Sequence, residues 1–279
     1  MLRILVTGAT GLLGPYLVRE ARRYGEVVTC GRRSGDKTVD LADYDRVKKL
    51  LQSCAPDWVV HAAGMTNVDA CERSPEESYR NNELLVDNLS KAVSRQSRFL
   101  YVSTDQVYPD VAGPHKEAGI GPVNQYGRSK LAGERLLVSR RDFTIARINI
   151  FGSSMTEGKK SLDDIFVDHF RKQKPITLYK DVLFSPLHMA TASTIMLELL
   201  NKKMHGIFNV GSRQGMSKAE FGTTVARYFS LQTEKSTIGR SPSHKDRAPR
   251  PKDLRMDVTK LENCLDRRMP TLEEEIRKL

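Results

Sequence analysis

Tyr126 and Lys130 stand four residues apart at the head of a run with helical spacing, Tyr126-Gly127-Arg128-Ser129-Lys130. Residues at that separation share one helix face, so a phenol and an ammonium can serve one site. A nearby cation favours phenolate and draws the tyrosine pKa toward working pH. Tyr126 is then a usable acid for a carbonyl receiving hydride, and Lys130 can also hold a ribose. A Tyr-x-x-x-Lys pair alone is common by chance. This one is accompanied by Ser103-Thr104-Asp105, which ends a β-rich run over 99–103. Open parallel sheets bind ligands at that carboxyl edge. A Thr104 hydroxyl there could donate to the same carbonyl oxygen.

A second constellation opens the chain. Thr7-Gly8-Ala9-Thr10-Gly11-Leu12-Leu13-Gly14 lies between an apolar β-rich run over 3–6 and a helical run over 12–24. Glycines at 8, 11 and 14 let the chain turn tightly, bring backbone near a pyrophosphate and pack helix on strand. The helix N-terminus offers free N–H groups to phosphate oxygens. Strand, glycines and helix in that order point to a dinucleotide held by Gly8, Thr10, Gly11, Leu12, Leu13 and Gly14. The next strand, over 27–30, runs into Gly31-Arg32-Arg33-Ser34. An NAD site puts a carboxylate near there for the ribose 2′-hydroxyl. Guanidinium groups suit a 2′-phosphate instead. NADPH is expected over NADH, which stays open, with Arg32 or Arg33 as the reader.

The elements that must position these groups alternate. Strands are expected over 3–6, 27–30, 58–62, 99–103, 143–148 and 206–210. Helices are expected over 12–24, 43–54, 75–94, 126–139, 162–172 and 189–201. Such alternation means βαβ units: an α/β fold with a doubly wound parallel sheet (Rossmann) and helices on both faces. The rhythm loosens after residue 152. The expected division is a dinucleotide-binding domain over 1–152, completed by about 186–211, and a smaller substrate-binding lobe over 153–185 and 212–279. Trp58 sits in an apolar run and reads as core. His61 reads as a residue that satisfies backbone groups at the exit of its strand.

The 279 residues carry 45 Lys and Arg against 34 Asp and Glu, a net charge of +11. That excess suggests an anionic partner: nucleic acid, a membrane surface or a phosphorylated small molecule. A basic, proline-rich stretch over 239–252 reads as a loop, either a solvated segment or a clamp over a diphosphate. No basic helix with interleaved aromatics marks nucleic-acid binding. No run reaches the ~18 apolar residues of a membrane span. Cys30, Cys54, Cys71 and Cys264 form no CxxC pair, and the six histidines lack metal-ligand spacing. Neither a metal nor a disulfide framework is expected, and reduced thiols in a cytoplasmic protein fit.

Together these pieces resemble the extended short-chain dehydrogenase/reductase family, in its dTDP-4-dehydrorhamnose reductase branch. The resemblance runs through nearly the whole chain. It rests on TGATGLLG over 7–14, HAAGMTNVDACE over 61–72, Asn82, STDQVY over 103–108 and YGRSKLAGE over 126–134. It continues in RINIFG over 147–152, DVLFSP over 181–186, GIFNVG over 206–211 and RPKDLRMD over 250–257. It implies NADPH-dependent reduction of the 4-keto group of a nucleotide-linked deoxysugar, with Thr104, Tyr126 and Lys130 as catalytic trio. It implies that Ala62, Ala63 and Gly64 line the cofactor cleft and that Asp40 and Leu41 flank the adenine. Thr104, Asp105, Gln106, Asn149 and Arg250 are expected on the substrate side. A homodimer is among the expected assemblies.

Three positions depart from the branch. Gln106 stands where it usually has tyrosine. Asn149 or Ile150 stands where it usually has tryptophan, and Pro109-Asp110 replaces Asp-Gly. Asp105 reads equally as a substrate contact or a turn cap, and Glu72 as a network member near the sugar or a surface charge. The sister 4,6-dehydratases often read Thr-Asp-Glu at 104–106; Gln106 cannot ionise, which disfavours elimination. Epimerases typically carry an acid after the second strand, where Arg32-Arg33 stand. A non-catalytic alternative is the regulatory β subunit of methionine adenosyltransferase, which resembles the same branch; the intact trio argues against it.

Overall fold

The computed structural model describes residues 1–138, 142–242 and 247–279. The expected end of a helix at Ser139, and His244 and Lys245 of the basic stretch, lie outside them. Seven parallel strands form the central sheet. From one edge to the other they are Gly206–Val210, Phe143–Ile148, Arg98–Thr104, Trp58–His61, Leu2–Thr7, Gly25–Gly31 and Lys37–Thr38. Chain order reverses at Leu2–Thr7, which pairs with Gly25–Gly31 on one side and Trp58–His61 on the other. A crevice must open there, beyond the carboxyl ends of the strands. The inner strands are nearly continuous apolar runs; all four residues of Trp58–His61 are buried. That is the signature of a strand covered on both faces.

One face of the sheet packs against Gly14–Ala21 and Met189–Asn201. Ile4, Val6, Trp58, Leu17, Met196 and Phe208 share that core. Trp58 is thus core, as expected. The other face packs against Tyr44–Cys54 and Leu85–Ala92, around Leu5, Val59, Phe99 and Val86. A third core lies beyond the sheet edge, where Phe151, Phe166, Phe184 and Phe221 meet. Among the described residues, no helix is long and apolar enough to cross a membrane. Nor does any group of three or more His, Cys, Asp or Glu stand ready to hold a metal ion.

Two helices differ from the sequence expectation. The run over 12–24 yields a helix only at Gly14–Ala21, with Pro15 in its first turn. Proline suits that position because the first N–H groups have no helical partner. Leu12 and Leu13 belong to the glycine turn. The run over 75–94 is not one helix: Pro75–Tyr79 and Leu85–Ala92 flank a π turn at Arg80–Leu84. Asn82, in that turn, holds Met65 by its backbone N–H (2.8 Å) and carbonyl (3.0 Å) and donates to the Ser129 hydroxyl (3.0 Å). Its own carbonyl accepts from the Tyr101 phenol. Such bulges cluster at functional sites, and this one buttresses the crevice. A parallel pair, Ile176–Tyr179 with Ser236–Gly239, escaped the sequence reading.

Candidate active site

At the crevice the glycine turn has room for backbone and nothing else. Gly8 sits at φ +75, and a Cβ there would meet the Ala62 and Ala63 backbone at 2.6 Å. A Cβ on Gly14 would run into the Ala9 carbonyl, whereas Gly11 would meet only the Gly8 carbonyl at 3.1 Å. The turn therefore presses against the 62–64 segment, as a cradle approached closely by a ligand requires. Beneath it the Thr7 hydroxyl pairs with His61 Nδ1 at 2.7 Å. His61 thus bonds a side chain rather than backbone groups. It is fully buried, its Nε2 has no partner, and burial with the Lys130 charge brings its pKa down to about 3. The ring is neutral, and it braces the strand exit that carries Ala62, Ala63 and Gly64.

Arg32 and Arg33 project into solvent just past Gly25–Gly31. The nearest acid along the chain, Asp36, turns back onto Thr29, whose N–H and hydroxyl both donate to it at 2.8 Å. Asp40 accepts from the Ala42 N–H and from Arg80, which together with nearby Arg32 hold its carboxyl below the usual range. Leu41 is packed inside, its carbonyl capped by Asn88. Arg80 had no signal in the sequence; the π turn carries it to Asp40.

The edge that carries Tyr126 and Lys130 is built by the helix Gln125–Leu137. Asn124 caps it, accepting from the Gly127 N–H at 2.8 Å, and donates to Gln106 Oε1 (3.0 Å) and the Pro249 carbonyl (2.9 Å). Tyr126, Lys130 and Glu134 follow at steps of four, all buried. Thr104 ends its strand beside Tyr126, accepts from the Gln106 N–H and donates to Asp105. Thr104, not Asp105, therefore caps the short turn. Asp105 is buried and accepts from Asn149; burial pushes it up to about 6 against the pull of Asn149, Thr104 and Lys218. Of the two candidates at the branch's tryptophan position, Asn149 faces the site while Ile150 packs against the core.

One expectation is overturned. Tyr126 is not drawn down by Lys130: burial raises its pKa, and the Thr104 hydroxyl against the phenol recovers only part of the rise. The Lys130 ammonium instead donates to the Val102 carbonyl at 2.7 Å and lies 4.0 Å from the Tyr101 ring centre. Burial, partly offset by Glu134, brings that ammonium down to about 7. Desolvation sets the direction of both shifts, and neither the phenol nor the ammonium is moved by the other.

A cleft of about 780 Å³ opens beside this edge, lined by Asp69, Glu72, Lys218, Arg247, Arg250 and Lys252 among others. The Arg250 guanidinium grips Asp69 with both terminal nitrogens (3.0 and 2.8 Å), and the Ala248 N–H donates to the same carboxylate. That fork takes Asp69 down to about 2. The basic stretch is thereby tied to the helix Val68–Arg73. Glu72 accepts from the Gln125 N–H (2.7 Å) and from Arg128, so it is a network member and not a loose surface charge.

Residues 2–279 match the family model described as RmlD substrate binding domain. The chain belongs to that family. It is 30% identical to the probable low-salt glycan biosynthesis reductase Agl14 of Haloferax volcanii, over 97% of this chain and 95% of that one. It is 29% identical to the methionine adenosyltransferase 2 subunit beta of Xenopus laevis, over 93% and 81%. Among solved structures, the dTDP-4-dehydrorhamnose reductase of Bacillus anthracis in complex with NADP superposes with a TM-score of 0.87 at 22% identity, over 99% of this chain and 96% of that one.

In this RmlD family chain, further functional candidates lie outside what the sequence predicts. Lys159 donates to the Thr10 carbonyl at 2.8 Å and Thr156 to the Gly11 carbonyl at 3.1 Å, so the segment after residue 152 rests on the glycine cradle. Glu134 forms a buried pair with Arg147 at 2.7 Å, both 1% exposed. Lys218, the first residue of the helix Lys218–Tyr228, lines the cleft. The Lys159 and Thr156 contacts join positions 149 and 145 residues apart, which local spacing does not encode.

Proposed function

We propose that this chain is an NADPH-dependent reductase acting on the 4-keto group of a nucleotide-linked deoxysugar. dTDP-4-dehydro-L-rhamnose, reduced to dTDP-L-rhamnose, is the substrate to test first. One observation carries the reading: Thr104, Tyr126 and Lys130 converge between a glycine cradle and a cleft rimmed by Arg250. The cradle fits a dinucleotide, since Gly8 and Gly14 leave no space for side chains and Gly11 keeps an open face. When bound on Gly8, Gly11 and Gly14, with Arg32 or Arg33 at its 2′-phosphate, NADPH would supply the hydride. We assign residues 153–185 and 212–279 to the lobe that takes the sugar nucleotide.

The side chains do the rest. Tyr126 gives its phenolic proton to the ketone oxygen; its raised pKa keeps that proton in place until the oxygen gains negative charge. Thr104 turns its hydroxyl from Asp105 to the same oxygen and holds it. Lys130 then stabilises the phenolate left behind, leaving the Val102 carbonyl for the phenol and a ribose hydroxyl. The burial of all three excludes water from the transfer.

The test is steady NADPH oxidation with a panel of nucleotide-linked 4-keto sugars. Tyr126→Phe is expected to lose ~10²- to 10⁴-fold in turnover while binding NADPH as before. Turnover of a sugar nucleotide without net NADPH consumption favours an epimerase or dehydratase instead. A second reading, a non-catalytic NADP-binding regulatory subunit, is favoured by the 29% identity to the methionine adenosyltransferase β subunit. Retention of NADPH without turnover of any sugar, and a neutral Tyr126→Phe phenotype, would select it.

A further inference from the structure

Lys218 is placed at a disadvantage by most of its surroundings. It is the first residue of the helix Lys218–Tyr228, whose N-terminus Ser217 and Glu220 already cap with a reciprocal pair of bonds. A cation there opposes the helix dipole. It is half-buried, and burial lowers its pKa against the attraction of Asp105, while Arg250 and Arg247 repel it. Among the described residues, its ammonium has no hydrogen-bond acceptor and no ion-pair partner.

The cleft's carboxylates are all engaged elsewhere. Asp69 is held by Arg250, Glu72 by Gln125 and Arg128, and Asp110 accepts from the Lys252 N–H at 2.7 Å. Lys252 itself pairs with Asp181. Lys218, Arg73 and Arg247 remain as lining cations without an ion-paired acid among the described residues, and of the three only Lys218 is half-buried. An esterified diphosphate carries two negative charges, one on each phosphoryl group, and can answer Lys218 and a flanking arginine together. A buried cation retained without a partner destabilises the free chain and is compensated when an anion arrives.

We infer that Lys218 is the residue by which the cleft selects substrates carrying a diphosphate, its ammonium pairing with that group. The inference rests on taking this cleft as the nucleotide-sugar site. It assigns Lys218 a binding role and no part in proton transfer.

The experiment is calorimetric titration of the full chain with dTDP, UDP and dTMP, beside thermal melting of the free protein, for wild type, Lys218→Met and Lys218→Arg. Lys218→Met is expected to melt at or above wild type, since an uncompensated charge is gone. It should bind the preferred nucleoside diphosphate about 10- to 100-fold more weakly, the worth of a charge-assisted bond, with a smaller loss for dTMP. Lys218→Arg should retain most of the affinity. Unchanged diphosphate affinity in Lys218→Met, or a lower melting temperature with equal losses for dTMP and diphosphate, overturns the assignment of Lys218 alone. A wild-type chain that binds neither dTDP nor UDP overturns the nucleotide-sugar reading and this inference with it.

Discussion

Glu134 and Arg147 offer the sharpest check on how this site is held. Glu134 lies on the face of the helix Gln125–Leu137 that carries Tyr126 and Lys130, and Arg147 lies on the adjoining strand Phe143–Ile148. Their carboxylate and guanidinium meet at 2.7 and 3.0 Å, and Ser103 adds a bond to the same carboxylate. Arg147 also donates to the Tyr108 phenol and the Glu117 carbonyl. Removing one partner of such a buried pair strands the other charge and costs ~3–5 kcal/mol. At about 2–4 °C per kcal/mol for a chain of roughly this size, Glu134→Gln should lower the melting temperature by about 6–20 °C. Arg147→Met should do the same, whereas the double variant should cost much less than the sum, with a coupling of at least about 2 kcal/mol. Calorimetric melting of the four proteins measures this cycle. Glu134 also raises the Lys130 pKa, so its loss should move the high-pH limb of kcat/KM downward in the variant. Additive costs below about 1 kcal/mol each, with an unmoved pH limb, would refute the claim that this pair anchors the catalytic helix.

The other expectations are simpler to read. Arg32→Ala or Arg33→Ala should cut the preference for NADPH over NADH by ~10-fold or more, the worth of a charge-assisted bond to phosphate; no change in either variant removes the 2′-phosphate assignment. Lys159→Met should weaken NADPH binding by no more than about 5-fold, because an exposed lysine contributes under ~1 kcal/mol, and fluorescence titration with unchanged kcat is the check. Lys130 loses its proton near pH 7 when folded and near the ordinary lysine value when unfolded. The folded chain therefore binds fewer protons between those values, so its contribution to stability rises with pH across that window and is least below pH 7. Melting of wild type against Lys130→Met from pH 6 to about 10 should show that slope in wild type alone.

The parts of the site visible in the sequence are those fixed by local geometry. Glycines at 8, 11 and 14 are needed wherever a strand turns into a helix beneath a phosphate, and the four-residue step from Tyr126 to Lys130 is set by the helix itself. The parallel sheet with helices on both faces followed from strands alternating with helices, whereas the strand order did not. What stayed hidden depends on pairs distant in the chain. Asp69 and Arg250 are 181 residues apart, and nothing near either residue names the other. The π turn escaped because the apolar spacing over 75–94 suits an unbroken helix. Only the bonds that Asn82 makes to Met65 and Ser129 show why the helix opens there. The four-residue step predicts a phenol drawn down by its ammonium neighbour, whereas burial raises it, because spacing reveals proximity but not how much water the fold removes.

The excess of positive charge sharpens the same point. Counted along the sequence, a lysine is one of 45 equal cations, and the count can suggest only that something anionic is bound. In the fold the cations separate by what faces them. Arg147 answers Glu134 in the core, Arg250 answers Asp69 across the cleft, and Lys252 answers Asp181. These pairs anchor structure and leave little field for a ligand. Among the described cations without an ion-paired acid, Arg32 and Arg33 follow the strand Gly25–Gly31, and Arg73, Lys218 and Arg247 line the cleft. Two such groups, one of them outside the cleft lining, favour two small phosphorylated ligands over a polymer or a membrane surface, either of which calls for one continuous basic face.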